Sequence, residues 1–96
     1  MEGKMEDPTL TAKAEKLKNQ GNDNFKKGQF QSAIDLYGQA IECDGTNPAY
    51  YTNRAIAYLK IEDFNLAMND CKTALNIDPK FAKAYNRISK CYIAVG

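Results

Sequence analysis

Ninety-six residues, 44% of them hydrophobic and 26% charged, match the size and make-up of one small globular domain. Thirteen Lys and Arg stand against twelve Asp and Glu, and a net charge of +1 gives no overall field for nucleic acid or an anionic membrane. The chain has no His, no Gly-x-Ser-x-Gly around Ser32 or Ser89, and no CxxC among Cys43, Cys71 and Cys91, so neither an enzyme nor a metal or other cofactor is expected.

Residues 1–9 hold no apolar signal core and read as a disordered tail or a cloning remnant. A first helix is expected over about 10–27, with Leu17, Gly21 and Asn24 at i, i+4, i+7 and a break at Gly28. A second, over about 30–43, stops at Asp44-Gly45-Thr46-Asn47-Pro48. A third, over about 48–60, carries Tyr51, Ala55, Tyr58 and Leu59 on one stripe, and Glu62-Asp63 interrupts it. The fourth, over about 64–76, presents Phe64, Ala67, Cys71, Ala74 and Leu75, and Asp78-Pro79 separates it from a fifth over about 82–95. No segment alternates with period two, so the fold class is all-α. An odd number of cysteines without a signal peptide suggests reduced thiols in a cytosolic chain.

The chain repeats itself at an offset of 34 residues. Asn19 meets Asn53, Phe30 meets Phe64, Ala33 meets Ala67, Ala40 meets Ala74 and Asp44 meets Asp78; one period on, Tyr51 meets Tyr85 and Tyr58 meets Tyr92. The expected organisation is repeat 1 over 14–47, repeat 2 over 48–81 and a partial repeat 3 over 82–96, each full repeat an antiparallel helix pair. A single repeat cannot bury its own apolar face. The fifth helix, bearing Tyr85, Ile88, Cys91, Tyr92 and Val95, therefore has one face with nothing to cover it. The expectation is a piece cut from something larger, or an end face that meets another molecule, self-association included.

These residues resemble the tetratricopeptide repeat family. Its pattern of a large apolar residue, Gly or Ala, and an aromatic in helix A, then Ala, aromatic, Ala in helix B, is met by Leu17, Gly21, Ala33, Tyr37 and Ala40, by Tyr51, Ala55, Tyr58, Ala67 and Ala74, and by Tyr85 and Tyr92. Asn24 and Cys71 stand where aromatics are usual, Gly45 where Pro is, and Ser89 where a smaller residue is. The resemblance implies about two and a half helix-turn-helix repeats, stacked in a right-handed superhelix whose concave groove is lined by the A helices.

The groove faces read Lys18, Asn22 and Phe25 on the first helix, Asn53, Ile56 and Lys60 on the third, and Lys83, Arg87 and Lys90 on the fifth. Cations and amides gather there without an acid, an arrangement suited to an anion. Lys supplies a compact charge, Arg a planar fork and Asn neutral donors that approach a carboxylate closely. A C-terminal acidic residue, with two carboxylates close together, fits such convergent donors. The set is similar to the two-carboxylate clamp of co-chaperone tetratricopeptide domains of the Hop-like, SGT-like, J-domain-linked and phosphatase-linked kinds. That resemblance implies a partner, the C-terminal tail of Hsp70 or Hsp90 ending Glu-Glu-Val-Asp. It also implies roles: Lys18, Asn22 and Asn53 on the main-chain carboxylate, Lys83 and Arg87 on the Asp side chain, Ile56 and Phe25 lining the pocket for an upstream apolar residue. Two other readings stand beside it, a repeat scaffold that binds internal peptides and a targeting or regulatory module of a larger enzyme. Arg54 reads as a structural ion-pair partner, Tyr51, Tyr58, Tyr85 and Tyr92 as core, and Cys71 and Cys91 as small packing residues.

Overall fold

The computed structural model of the chain describes residues 8–95. It holds five helices, α1 (Pro8–Lys26), α2 (Phe30–Cys43), α3 (Pro48–Lys60), α4 (Phe64–Ile77) and α5 (Ala82–Val95), and no strand among the described residues. Local chemistry sets the boundaries. Asn47 caps α3, its Oδ1 accepting from the Ala49 N–H at 2.9 Å, and Pro48 follows at the first turn, where its missing N–H costs nothing. Asp63 caps α4 by accepting from the Leu66 N–H at 3.4 Å. Residues 1–7 and 96 lie outside the described residues, and with them most of the expected tail over 1–9. Pro8 and Thr9 open the first turn of α1.

Each helix packs on the next in the chain, and α3 also touches α5, so the five form an elongated slab of 49 × 30 × 17 Å. Small residues make the close approaches: Ala14, Ala33, Ala40, Ala55, Ala57, Ala67, Ala74 and Ala84 are all fully buried. Aromatic rings fill what remains. Tyr37 packs with Ala33, Ile34 and Ala57, and Phe25 and Tyr58 lie against them. Cys71 and Cys91 pack with Ala55 and Ala67, as small apolar groups do. Burial pushes the Cys71 thiol up to about 12 and raises that of Cys91, so neither is a thiolate at neutral pH.

Arg54 on α3 and Asp70 on α4 form a two-pronged ion pair, with Nε and Nη2 donating to the two carboxylate oxygens at 2.8 Å each. The Asp70 side chain is 7% exposed. Burial pushes its carboxyl upward and the two Arg54 bonds oppose that push, while the same bonds raise the Arg54 guanidinium. Removing one member of such a pair leaves a buried charge alone, at a cost of about 3–5 kcal/mol. The pair locks the second repeat and leaves Arg54 out of any groove chemistry.

Two expectations about the tyrosines need correction. Tyr50, not Tyr51, is the fully buried tyrosine at the start of α3, seated between Ala14 and Ala40. Tyr51 is half-buried, its hydroxyl donating to the Gly45 carbonyl at 3.2 Å. Tyr85 and Tyr92 are not core at all, being 54% and 64% exposed. They continue the stripe of Tyr51 and Tyr58, but α4 meets α5 on the face bearing Ile88 and Cys91, and no described helix covers the other.

Candidate functional site

A cleft of about 180 Å³ opens across four helices, lined by Asn22 and Phe25 from α1, Tyr37 from α2, Asn53 and Ile56 from α3, and Arg87 from α5. Five of the seven residues expected to form the clamp and its apolar pocket thus meet in one place. Helical spacing brings them there: Asn22 and Phe25 are three apart on α1, as are Asn53 and Ile56 on α3. The Phe25 ring stands edge-on to Phe30, with centroids 5.2 Å apart and planes at 69°, which fixes one apolar wall.

The polar atoms in the cleft are unevenly satisfied. The Tyr37 hydroxyl donates to Asn22 Oδ1 at 2.6 Å. That leaves the two N–H donors of the Asn22 amide for other partners. Arg87 donates from Nη1 to Asn86 Oδ1 at 3.1 Å, but its Nε is buried without a hydrogen-bond partner. A buried guanidinium N–H left unpaired is costly and is ready to be satisfied by an acceptor. No carboxylate lines the cleft. Amide donors, an unpaired guanidinium and an apolar wall are together complementary to an anion attached to an apolar group.

Lys18 and Lys83, the remaining two expected residues, do not line this cleft. Each lies one turn N-terminal to a residue that does, Lys18 to Asn22 and Lys83 to Arg87. Lys83 is exposed. Lys18 is half-buried and its Nζ lies 3.0 Å from Glu15 Oε1, while the other oxygen of Glu15 accepts from the Tyr50 hydroxyl at 2.6 Å. Both contacts lower the Glu15 pKa, the Tyr50 bond more than the Lys18 one. An acid therefore stands beside the groove, which the repeat-matched positions had shown as free of acids. Its signal was the spacing of Glu15 and Lys18, three residues apart on one helix. Tyr37 was also missed as a groove residue, because its place in the repeat pattern marked it for packing alone. A second cleft of about 300 Å³, lined by Ile56, Leu59, Lys60, Phe64 and Lys90, shares Ile56 with the first. Among the described residues no acid, Cys and His cluster could hold a metal ion, and no helix is long and apolar enough to cross a membrane.

Comparison with known proteins places the fold. Family models for the TPR repeat and the tetratricopeptide repeat match residues 21–62 and 48–81. The small glutamine-rich tetratricopeptide repeat-containing protein 2 of Mycosarcoma maydis is 42% identical over 85 residues, which are 88% of this chain and 24% of that protein. The chain spans a quarter or less of the first curated relatives it matches. Among solved structures, the second TPR of Spaghetti (RPAP3) bound to HSP90 peptide SRMEEVD has a TM-score of 0.86 at 35% identity, with 92% of this chain and 82% of that one covered. The TPR2B-domain:pHsp70-complex of yeast Sti1 has a TM-score of 0.85 at 34% identity, with 88% and 67% covered. With the family models together spanning residues 21–81 and these likenesses extending over most of its length, the chain belongs to the tetratricopeptide repeat family.

Proposed function

We propose that the chain is an adaptor module that binds the acidic C-terminal tail of an Hsp70 or Hsp90 chaperone in the cytoplasm and performs no chemistry itself. The observation that carries this reading is the Arg87 Nε–H, buried and unpaired in a cleft lined by Asn22 and Asn53 and by no carboxylate. Similar domains solved with an HSP90 peptide ending EEVD and with an Hsp70 peptide support it. In this reading Asn22 and Asn53, with Lys18 above them, hold the main-chain carboxylate of the terminal Asp. Arg87 and Lys83 hold its side chain, and Ile56 and Phe25 take an apolar residue upstream.

Titration with Hsp70 and Hsp90 tail peptides, each beside its C-terminally amidated form, tests the proposal. A short tail must be ordered on binding, so micromolar affinity is expected, roughly −7 to −8 kcal/mol. Amidation removes one charge at the anchoring end and should abolish measurable binding. Equal affinity for the two forms would refute the clamp and favour a repeat scaffold that reads internal peptides.

A further inference from the structure

We infer that Tyr37 is a positioning residue for the cleft, its hydroxyl holding the Asn22 side-chain amide so that both N–H donors face a bound carboxylate. The inference rests on the tail-binding reading and goes beyond it, since Tyr37 lies on α2 and not on the A helices.

An amide has two unlike ends. Turned one way it offers two donors to an anion; turned the other it presents a carbonyl oxygen, which repels one. Asn22 therefore serves a carboxylate only if something selects the orientation. The Tyr37 hydroxyl, 2.6 Å from Asn22 Oδ1, makes that selection. If the amide were reversed, the hydroxyl would accept from Nδ2–H and its own proton would be left unpaired beside the core, a cost the observed orientation avoids.

The hydroxyl can hold Asn22 only because the ring behind it is held. Tyr37 is 2% exposed and packs with Ala33, Ile34 and Ala57. Gly21, the neighbour of Asn22, lies flat against the same ring: a Cβ there would come 2.6 Å from Tyr37 Cε1 and 2.8 Å from Cδ1. Absence of a side chain at residue 21 is what lets the ring approach Asn22. Burial also pushes the phenol up to about 12, so the hydroxyl keeps its proton at every pH at which the fold is used.

The test is Tyr37→Phe, which keeps the ring and removes the hydroxyl. With free-acid tail peptide, affinity should fall five- to tenfold, and in an Asn22→Ala background the same change should be silent. A merely structural role would give the same loss with and without Asn22, and that additivity would overturn the inference, as would unchanged affinity in the single variant. A second readout needs no ligand: ¹⁵N relaxation of the Asn22 side-chain amide should report a rigid group in the wild type and a mobile one in Tyr37→Phe. A mobile amide in the wild type, or no change in the variant, overturns the inference as well. Should the wild type bind neither the free-acid nor the amidated peptide, the tail-binding reading fails by itself, and the relaxation result still decides whether Tyr37 holds Asn22.

Discussion

Gly28 and Glu62, 34 residues apart, both hold the chain at positive φ, 79° and 64°, in the turns that close the first and second helix pairs. The bonds around them correspond one for one. Gly28 N–H donates to the Phe25 carbonyl and Gln29 N–H to that of Asn24; Glu62 N–H donates to Leu59 and Asp63 N–H to Tyr58. Each turn thus ends its A helix with a left-handed residue, which glycine adopts freely and an L side chain adopts at a cost of about 1–2 kcal/mol. Glu62→Gly should relieve that cost and give back part of it as extra freedom of the unfolded chain, about 0.4–1 kcal/mol. The expected result is a gain of about 0.5–1 kcal/mol in urea unfolding at unchanged slope.

The helices and their repeat were legible because their signals are local. Breakers at Gly28 and Glu62-Asp63 and stripes at helical spacing need no knowledge of what packs where. Tyr50 was not legible, because it differs from Tyr51 by one step around a helix and only the positions of Ala14 and Ala40 decide which ring is swallowed. Tyr85 and Tyr92 follow the pattern of Tyr51 and Tyr58 yet face outward, since burial depends on a covering helix and not on the stripe. In the cleft, residues fixed by repeat position were readable, whereas the Tyr37–Asn22 bond joins two helices across fifteen residues and carries no sequence signature. The Glu15–Lys18 pair does carry one, the i, i+3 spacing of opposite charges, but Glu15 stands off the repeat-matched groove positions.

Gly21→Ala should destabilise the domain in spite of the better helix propensity of alanine. The exchange gains about 1 kcal/mol as an isolated helix position. The added methyl would sit 2.6 Å from Tyr37 Cε1, and displacing a core ring costs about 1–3 kcal/mol. The ring cannot retreat without breaking its bond to Asn22, so thermal stability and tail affinity should fall together. A variant as stable as the wild type would show that the first repeat tolerates a wider spacing between α1 and α2.

Glu15→Gln should strengthen tail binding. In the proposed clamp Glu15 would compete with a bound carboxylate for Lys18, and an exposed pair of this kind is worth about 0.2–1 kcal/mol, so its removal should tighten binding by up to about fivefold at low salt. The same residue contributes to pH dependence. Its pKa is lowered in the fold by the Tyr50 and Lys18 contacts, so its contribution to stability is present above the ordinary value of 4.5 and is lost as pH falls through the lowered one. Acid titrations followed by circular dichroism should therefore show a shallower loss of stability for Glu15→Gln than for the wild type below that value.

On α5, Tyr85, Tyr92 and Ile93 expose an apolar face, with Ile93 80% accessible. Faces of this kind associate in water. Sedimentation equilibrium should find the chain self-associating as its concentration rises, and Ile93→Lys should restore the monomer. Lysine suits the last turn of a helix, so helicity should be unaffected. A wild type monomeric at millimolar concentration would exclude this face as a contact.

A specific clamp and a diffuse basic patch predict different orders for three alanine variants. Arg87→Ala removes a charged donor whose Nε is buried in the cleft, and losing such a donor to a buried carboxylate costs about 2–5 kcal/mol. Asn53→Ala removes no charge, yet it takes a neutral donor from the same cleft at a cost of about 1–3 kcal/mol. Lys90→Ala removes the same unit of charge as Arg87→Ala from the same helix, but Lys90 is exposed and lines the neighbouring apolar cleft, so it should cost under ~1 kcal/mol. All three sit in helices where alanine is at least as favourable, so far-ultraviolet helicity serves as the control for folding. With one tail peptide at one salt concentration, the expected order of loss is Arg87, then Asn53, then Lys90. If charge alone attracted the tail, Lys90→Ala would equal Arg87→Ala and Asn53→Ala would be silent; that order would dismiss the clamp and leave the repeat fold untouched.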